Sequence, residues 1–179
     1  MFFVMMLDSN AQGIRLSALK LFRQRWQHVY LNMTTSQVSN FIIKPLTARS
    51  RRSLCHEMMQ HTRSRGYVAR ANWFLSHTWQ NKFADTVDAV LYFFEGKPEE
   101  SSVVFWFDVF SAPQHQVQEV PKPPEWWMQT FKSAIESMGS LILVADSWGE
   151  APAKLNNCSI VFTFQTNSCV CTKLIELRR

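Results

Sequence analysis

The stretch from Ala71 to Asp108 constrains the fold more than any other. An apolar run, Trp73-Phe74-Leu75, stops at the small and polar residues Ser76-His77-Thr78, and an amphipathic segment and a second apolar run follow. That order reads as strand, turn, helix, strand. In the helical part, Phe83, Val87, Val90, Leu91 and Phe94 fall at i, i+4, i+7, i+8 and i+11 and form one apolar stripe, with Asp85, Asp88 and Glu95 on the watered side. Gly96 and Pro98 then end the helix, the first by tolerating a left-handed conformation, the second by refusing another turn.

The second run, Val103-Val104-Phe105-Trp106-Phe107, has no polar alternation. A strand of that kind is covered on both faces, as in a parallel sheet between helix layers. A third repetition follows, with a helix predicted over 124–138, Gly139 as its cap, and Leu141-Ile142-Leu143-Val144 ending at Asp146. Trp126, Trp127, Phe131, Ala134, Ile135 and Met138 give that helix its inward stripe. In an open parallel sheet the functional crevice lies beyond the carboxyl ends of the strands. Ser76, His77, Asp108 and Asp146 are therefore expected along one rim.

The sequence is 179 residues long, 46% hydrophobic and 13% aromatic, enough to bury one substantial core. No apolar run reaches the roughly 18–20 residues that span a bilayer. The apolar start, Met1 to Leu7, lacks a basic region and a cleavage site and is not read as a signal peptide. Cys55, Cys158, Cys169 and Cys171 show no paired framework, which fits a reducing compartment, and cytoplasm is the expectation.

Charge divides the chain. Through Arg70 there are eleven Lys and Arg against Asp8 and Glu57, a net +9, and the remainder nets −4. The basic character thus belongs to an N-terminal extension, residues 1–65. Within it, Leu19, Phe22, Trp26, Val29 and Tyr30 form a helical stripe among Arg15, Lys20, Arg23 and Arg25. Two readings stay open: a basic amphipathic helix that meets an acidic partner or an anionic membrane surface, or a helix packed on the following domain with its charges in water. Residues 34–52 read as a linker or weak structure, and Arg49-Ser50-Arg51-Arg52 as a solvated basic loop, so no specific nucleic-acid partner is expected. Ser53 is placed to cap a short helix. The histidines His56 and His61 stand five apart and do not aim at one metal, so no metal site is expected.

The segments Phe-Leu-Ser-His-Thr-Trp at 74–79, Phe-Trp-Phe-Asp-Val-Phe-Ser at 105–111 with Gln114-His115 beyond it, and Glu-Trp-Trp-Met-Gln-Thr-Phe-Lys-Ser-Ala-Ile at 125–135 resemble a divergent TIR-like domain family of microbial eukaryotes. Its members carry a Phe-Val-Ser-His-Ala-Trp first strand and a Phe-Trp-Phe-Asp second strand. The likeness covers residues 69–155, somewhat less than half of the chain. It implies an α/β, flavodoxin-like, TIR-type parallel sheet over residues 66–179, behind the helical basic extension. It also implies signalling by protein–protein interaction, through self-association or contact with other TIR-like domains, and in some relatives NAD hydrolysis at the nicotinamide–ribose bond. No cofactor is required; NAD enters only as a substrate.

By the same resemblance Ser76, His77, Trp79 and Asp108 are candidates to line a nucleotide pocket. Gln114, His115 and Gln116, in the loop after the second strand, are candidates for partner contact. Catalytic relatives place a glutamate on the helix after the third strand, within Trp-Cys-x-x-Glu. Here the sequence runs Asn156-Asn157-Cys158-Ser159-Ile160-Val161, with no glutamate at that spacing. The chain is therefore expected to diverge or stop short of the family pattern from about residue 156. Ile160 to Phe164 has strand propensity and is expected beside the third strand. The function expected is a non-catalytic assembly module, the alternative an NAD nucleosidase using another carboxylate, Glu150, Glu176 or one supplied by a neighbouring copy.

Overall fold

The structure is a computed structural model that describes residues 11–115, 125, 129, 132, 133, 136–146, 158–165 and 168–176, from Asp146 onward as backbone only. Trp126, Trp127, Phe131, Ala134 and Ile135 lie outside the described residues, as do Met1 to Leu7 and Glu150.

The strand–helix–strand reading holds. Strand β3 (Trp73–His77), helix α5 (Phe83–Phe94) and strand β4 (Val104–Phe107) follow one another, and β3 and β4 pair in parallel with Phe74 opposite Trp106 and Leu75 opposite Phe107. Strand β5 (Ser140–Asp146) pairs in parallel on the other side of β3, with Ser76 opposite Leu143 and His77 opposite Val144. The first of these three strands therefore lies between the second and the third, the arrangement that opens a doubly wound sheet. All four residues of β4 are buried, as its unbroken hydrophobicity requires. Gly96 at φ 70° and Gly139 at φ 82° take the left-handed positions expected of them.

The expectation of a parallel sheet holds for these three strands only. The full sheet has seven strands in the order β2-β1-β4-β3-β5-β6-β7, and both flanks are antiparallel. On one side, β1 (Gln12–Arg15) sets Ile14 against Phe105 and Arg15 against Val104, and β2 (Val68–Arg70) pairs outside it. A Cβ on Gly13 would stand 2.3 Å from the Phe105 carbonyl oxygen, so only glycine lets the two backbones approach. On the other side, β6 (Cys158–Gln165) joins β5 where a strand was expected, and β7 (Ser168–Glu176) returns beside it. Residues 158–165 and 168–176 thus continue the sheet as an antiparallel hairpin, a departure from the parallel strand–helix alternation of the family pattern.

Residue 65 is not a boundary in the core. Ile14, Leu16, Leu19 and Tyr30 share one buried cluster with Leu75, Phe83, Val87, Phe94 and Phe107. Helix α1 (Leu16–Tyr30) lies on α5, with the Phe22 ring 5.8 Å from Phe83 and 5.1 Å from Phe110, and Tyr30 4.9 Å from Phe83. Edge-on pairs of this kind add roughly 0.5–1.5 kcal/mol each beyond area burial. The packing reading of the amphipathic helix therefore fits this face, and two of its cations are used there. The Arg23 Nε donates to Asp88 Oδ1 at 2.6 Å and its Nη2 to Oδ2 at 2.8 Å, while Lys20 pairs with Glu100. Asp88, expected in water, is half-buried by that fork.

The segment expected as a linker is helical. Thr34 opens α2 (Thr35–Val38): its Oγ1 accepts from the Gln37 amide while the Gln37 side chain accepts from the Thr34 amide. That reciprocal cap satisfies two donors the first turn leaves over. A five-residue π-helical stretch (Ser39–Ile43) and α3 (Lys44–Leu46) continue it, and α4 (Leu54–Gln60) starts where Ser53 Oγ accepts from the His56 amide at 3.1 Å. On the opposite face of the sheet a second cluster, Ala71, Phe74, Trp106, Ala112, Met138 and Leu141, packs beneath the helical turns that end at Met138. Among the described residues no helix is long and apolar enough to cross a membrane.

Candidate functional site

Side chains alternate along a strand, so Trp73, Leu75 and His77 project toward α5, while Phe74 and Ser76 project to the other face. Ser76 therefore shares the rim with His77 but not its surroundings, and no serine–histidine pair forms. The His77 ring stacks edge-on against Phe107 at 4.9 Å, lies 6.1 Å from the Trp79 ring, and is 1% exposed; what His77 shows to solvent is backbone.

Asp108 follows β4 directly, as the first residue of the short helix α6 (Asp108–Ser111). Its Oδ2 accepts from the Trp79 indole Nε1 at 2.8 Å and its Oδ1 from the Val109 amide at 2.7 Å. Oδ1 also stands 3.8 Å from His77 Nδ1, beyond hydrogen-bond range. Burial holds His77 below its ordinary value of 6.5, with Asp108 pulling weakly the other way, so the ring is neutral at pH 7. Its Nε2 is buried with no partner among the described residues.

Three of the four pocket candidates, His77, Trp79 and Asp108, thus meet, and Ser76 does not. The loop candidates join the same cluster from behind. Gln114 is 3% exposed, and its Nε2 donates to the Asp108 carbonyl at 2.7 Å and the Ala112 carbonyl at 3.0 Å. Its Oε1 accepts from Ser39 Oγ at 2.9 Å. The amide is buried and spent on the fold rather than displayed. The half-buried His115 pairs its Nε2 with Thr47 Oγ1 at 3.1 Å, and Thr47 Oγ1 in turn donates to the Ile43 carbonyl. Gln116 lies outside the described residues.

Ser39 and Thr47 are the residues that sequence reasoning missed, since both fall in the supposed linker. The Thr34-x-x-Gln37 cap was the signal that a helix, and not a linker, begins there. Cys55 lies beside Ser111 at 3.8 Å, and burial pushes its thiol up to about 12, which leaves it inert as a nucleophile.

Of the alternative carboxylates, Glu176 lies on β7, opposite Cys158, at the same rim as the end of β5. Four inter-strand steps separate β7 from β4, the strand that Asp108 follows. At about 4.8 Å per step that is roughly 19 Å, too far for Glu176 and Asp108 to grip one ribose in a flat sheet.

The chain matches no family model, no curated protein and no solved structure.

The cluster places a neutral imidazole, an indole donor and a carboxylate at the strand ends. Both carboxylate oxygens are already engaged, and among the described residues no nucleophile stands beside the imidazole. Such a set holds the β3 and β4 turns in fixed relation.

Proposed function

We propose that this chain is a cytoplasmic TIR-like assembly module, acting by contact with copies of itself or with related domains and carrying no catalysis of its own. The reading is supported by the strand order, since the Ser-His-Thr-Trp and Phe-Trp-Phe-Asp segments sit side by side at the carboxyl rim of adjacent parallel strands. The observation that carries the non-catalytic half is the engagement of Asp108 by Trp79 and Val109, which leaves the carboxylate holding a turn. Purified chain is expected to associate in a concentration-dependent way by light scattering and to release no nicotinamide from NAD. A mass that stays at one chain across the accessible concentrations would remove the assembly reading.

One observation favours the second reading, an NAD nucleosidase: the His77 Nε2 has no partner among the described residues, and a buried polar atom left over at a strand end is where a ligand group would bond. Nicotinamide release that is lost in Asp108→Asn or Glu176→Gln would replace the first reading by this one.

A further inference from the structure

One flank of α1 borders a cleft of about 660 Å³. Leu21, Phe22 and Trp26 of α1, Leu46 of α3, Met58 of α4 and Tyr67 line it, and the lining is almost wholly apolar. Leu21 and Leu46 remain 46% and 48% exposed there, although leucine is among the residues most often buried. The volume lies within the range of about 300–1,000 Å³ typical of ligand sites.

Charge says what would cover it. Arg25 lines the cleft, Arg49, Arg51 and Arg52 occupy the turn between α3 and α4, and Arg63 and Arg65 follow α4 on the way to Tyr67. All six are exposed, and none forms an ion pair among the described residues. The sole acid described between residues 11 and 70 is Glu57. An apolar trough with Arg25 in its wall, on segments whose other exposed arginines find no ion-pair partner among the described residues, complements an occupant with an apolar stripe flanked by carboxylates. The concavity selects among such occupants. A bilayer surface is flat on this scale and cannot fill a trough between helices, whereas a helix inserts side chains at i, i+3 or i+4, and i+7.

We propose that this groove docks an acidic amphipathic helix of a partner protein. The proposal is independent of the reading of the strand rim, which lies on other elements.

The test uses the full chain and two synthetic helical peptides that share one leucine stripe, the first with glutamate at all remaining positions and the second with lysine. Fluorescence anisotropy is expected to show binding of the glutamate peptide alone, weakening as salt rises. Leu46→Glu, at a position already half in water, should leave the circular dichroism and melting temperature unchanged and weaken binding about tenfold or more. Arg51→Gly is the complementary variant. Arg51 holds φ 57°, a conformation glycine adopts without strain, so the substitution should keep or raise the melting temperature while weakening binding about two- to fivefold, the effect of one exposed ion pair. Equal binding of the two peptides would overturn the proposal, as would indifference to Leu46→Glu. Capture by phosphatidylserine vesicles without binding of the glutamate peptide would assign the surface to lipid and overturn it equally.

Discussion

The strand rim and the groove on α1 are opposites. At the rim, polar groups that look available in sequence are closed on one another: Asp108 by Trp79 and Val109, Gln114 by Ser39 and two carbonyls. At the groove, the apolar side chains of Leu21 and Leu46 stand open beside Arg25. Chemical type alone therefore identifies neither surface. What separates them is whether each group already has a partner, and α1 displays both states, with Arg23 engaged on one face and Arg25 without an ion-pair partner among the described residues on another.

The sharpest way to break the comparison is to attack the core they share. Phe83→Ala removes a ring in contact with Phe22, Tyr30, Phe107 and Phe110, and is expected to cost about 3–5 kcal/mol in urea unfolding. A loss confined to α1, with α5 and β4 unperturbed, would mean that the N-terminal part is a separate body. Next, Gln114→Leu removes the partner of Ser39 Oγ and of the Ala112 carbonyl, while the Asp108 carbonyl keeps its bond from the Ala112 amide, and should cost about 1–3 kcal/mol in the same measurement. An unchanged midpoint would return Gln114 to the list of displayed contact residues.

The rim also has a pH signature. His77 binds its proton less readily folded than unfolded, so the unfolded chain carries more protons below the ordinary value of 6.5 and stability falls as pH drops beneath it. His77→Phe, which keeps a ring against Phe107, should flatten the dependence of the urea midpoint between pH 7.5 and 5; an identical slope in both proteins would show the burial to be ineffective. The smallest effect separates the faces of α1. Arg23→Ala is expected to lose up to about 1 kcal/mol with its ion pair, and Arg25→Ala nothing measurable. Equal losses would erase the distinction between engaged and free arginines.

Legibility followed locality. The five-residue stripe of α5, the unbroken apolar run of β4 and the stop at Gly96 are local patterns, and each placed its element correctly. From them alone followed the meeting of His77 and Asp108 at one rim. Strand β1 carries no such pattern, since Gln-Gly-Ile-Arg offers a single large apolar residue. Its membership in the sheet comes from Ile14 meeting Phe105 across some ninety residues of chain. The helical turns over 35–46 were obscured by Pro45, although proline is tolerated in a first helical turn, where it stands in α3. The Ser39–Gln114 bond joins residues whose proximity no periodicity encodes.

The two ends of the sheet are unequal. Strand β2, the outermost on one side, is three residues long and ends on the exposed Arg70, a blunt and charged margin. Strand β7, outermost among the described strands on the other, runs for nine residues. Among the described strands, β7 is therefore the one outer edge that offers more than three residues of backbone for pairing.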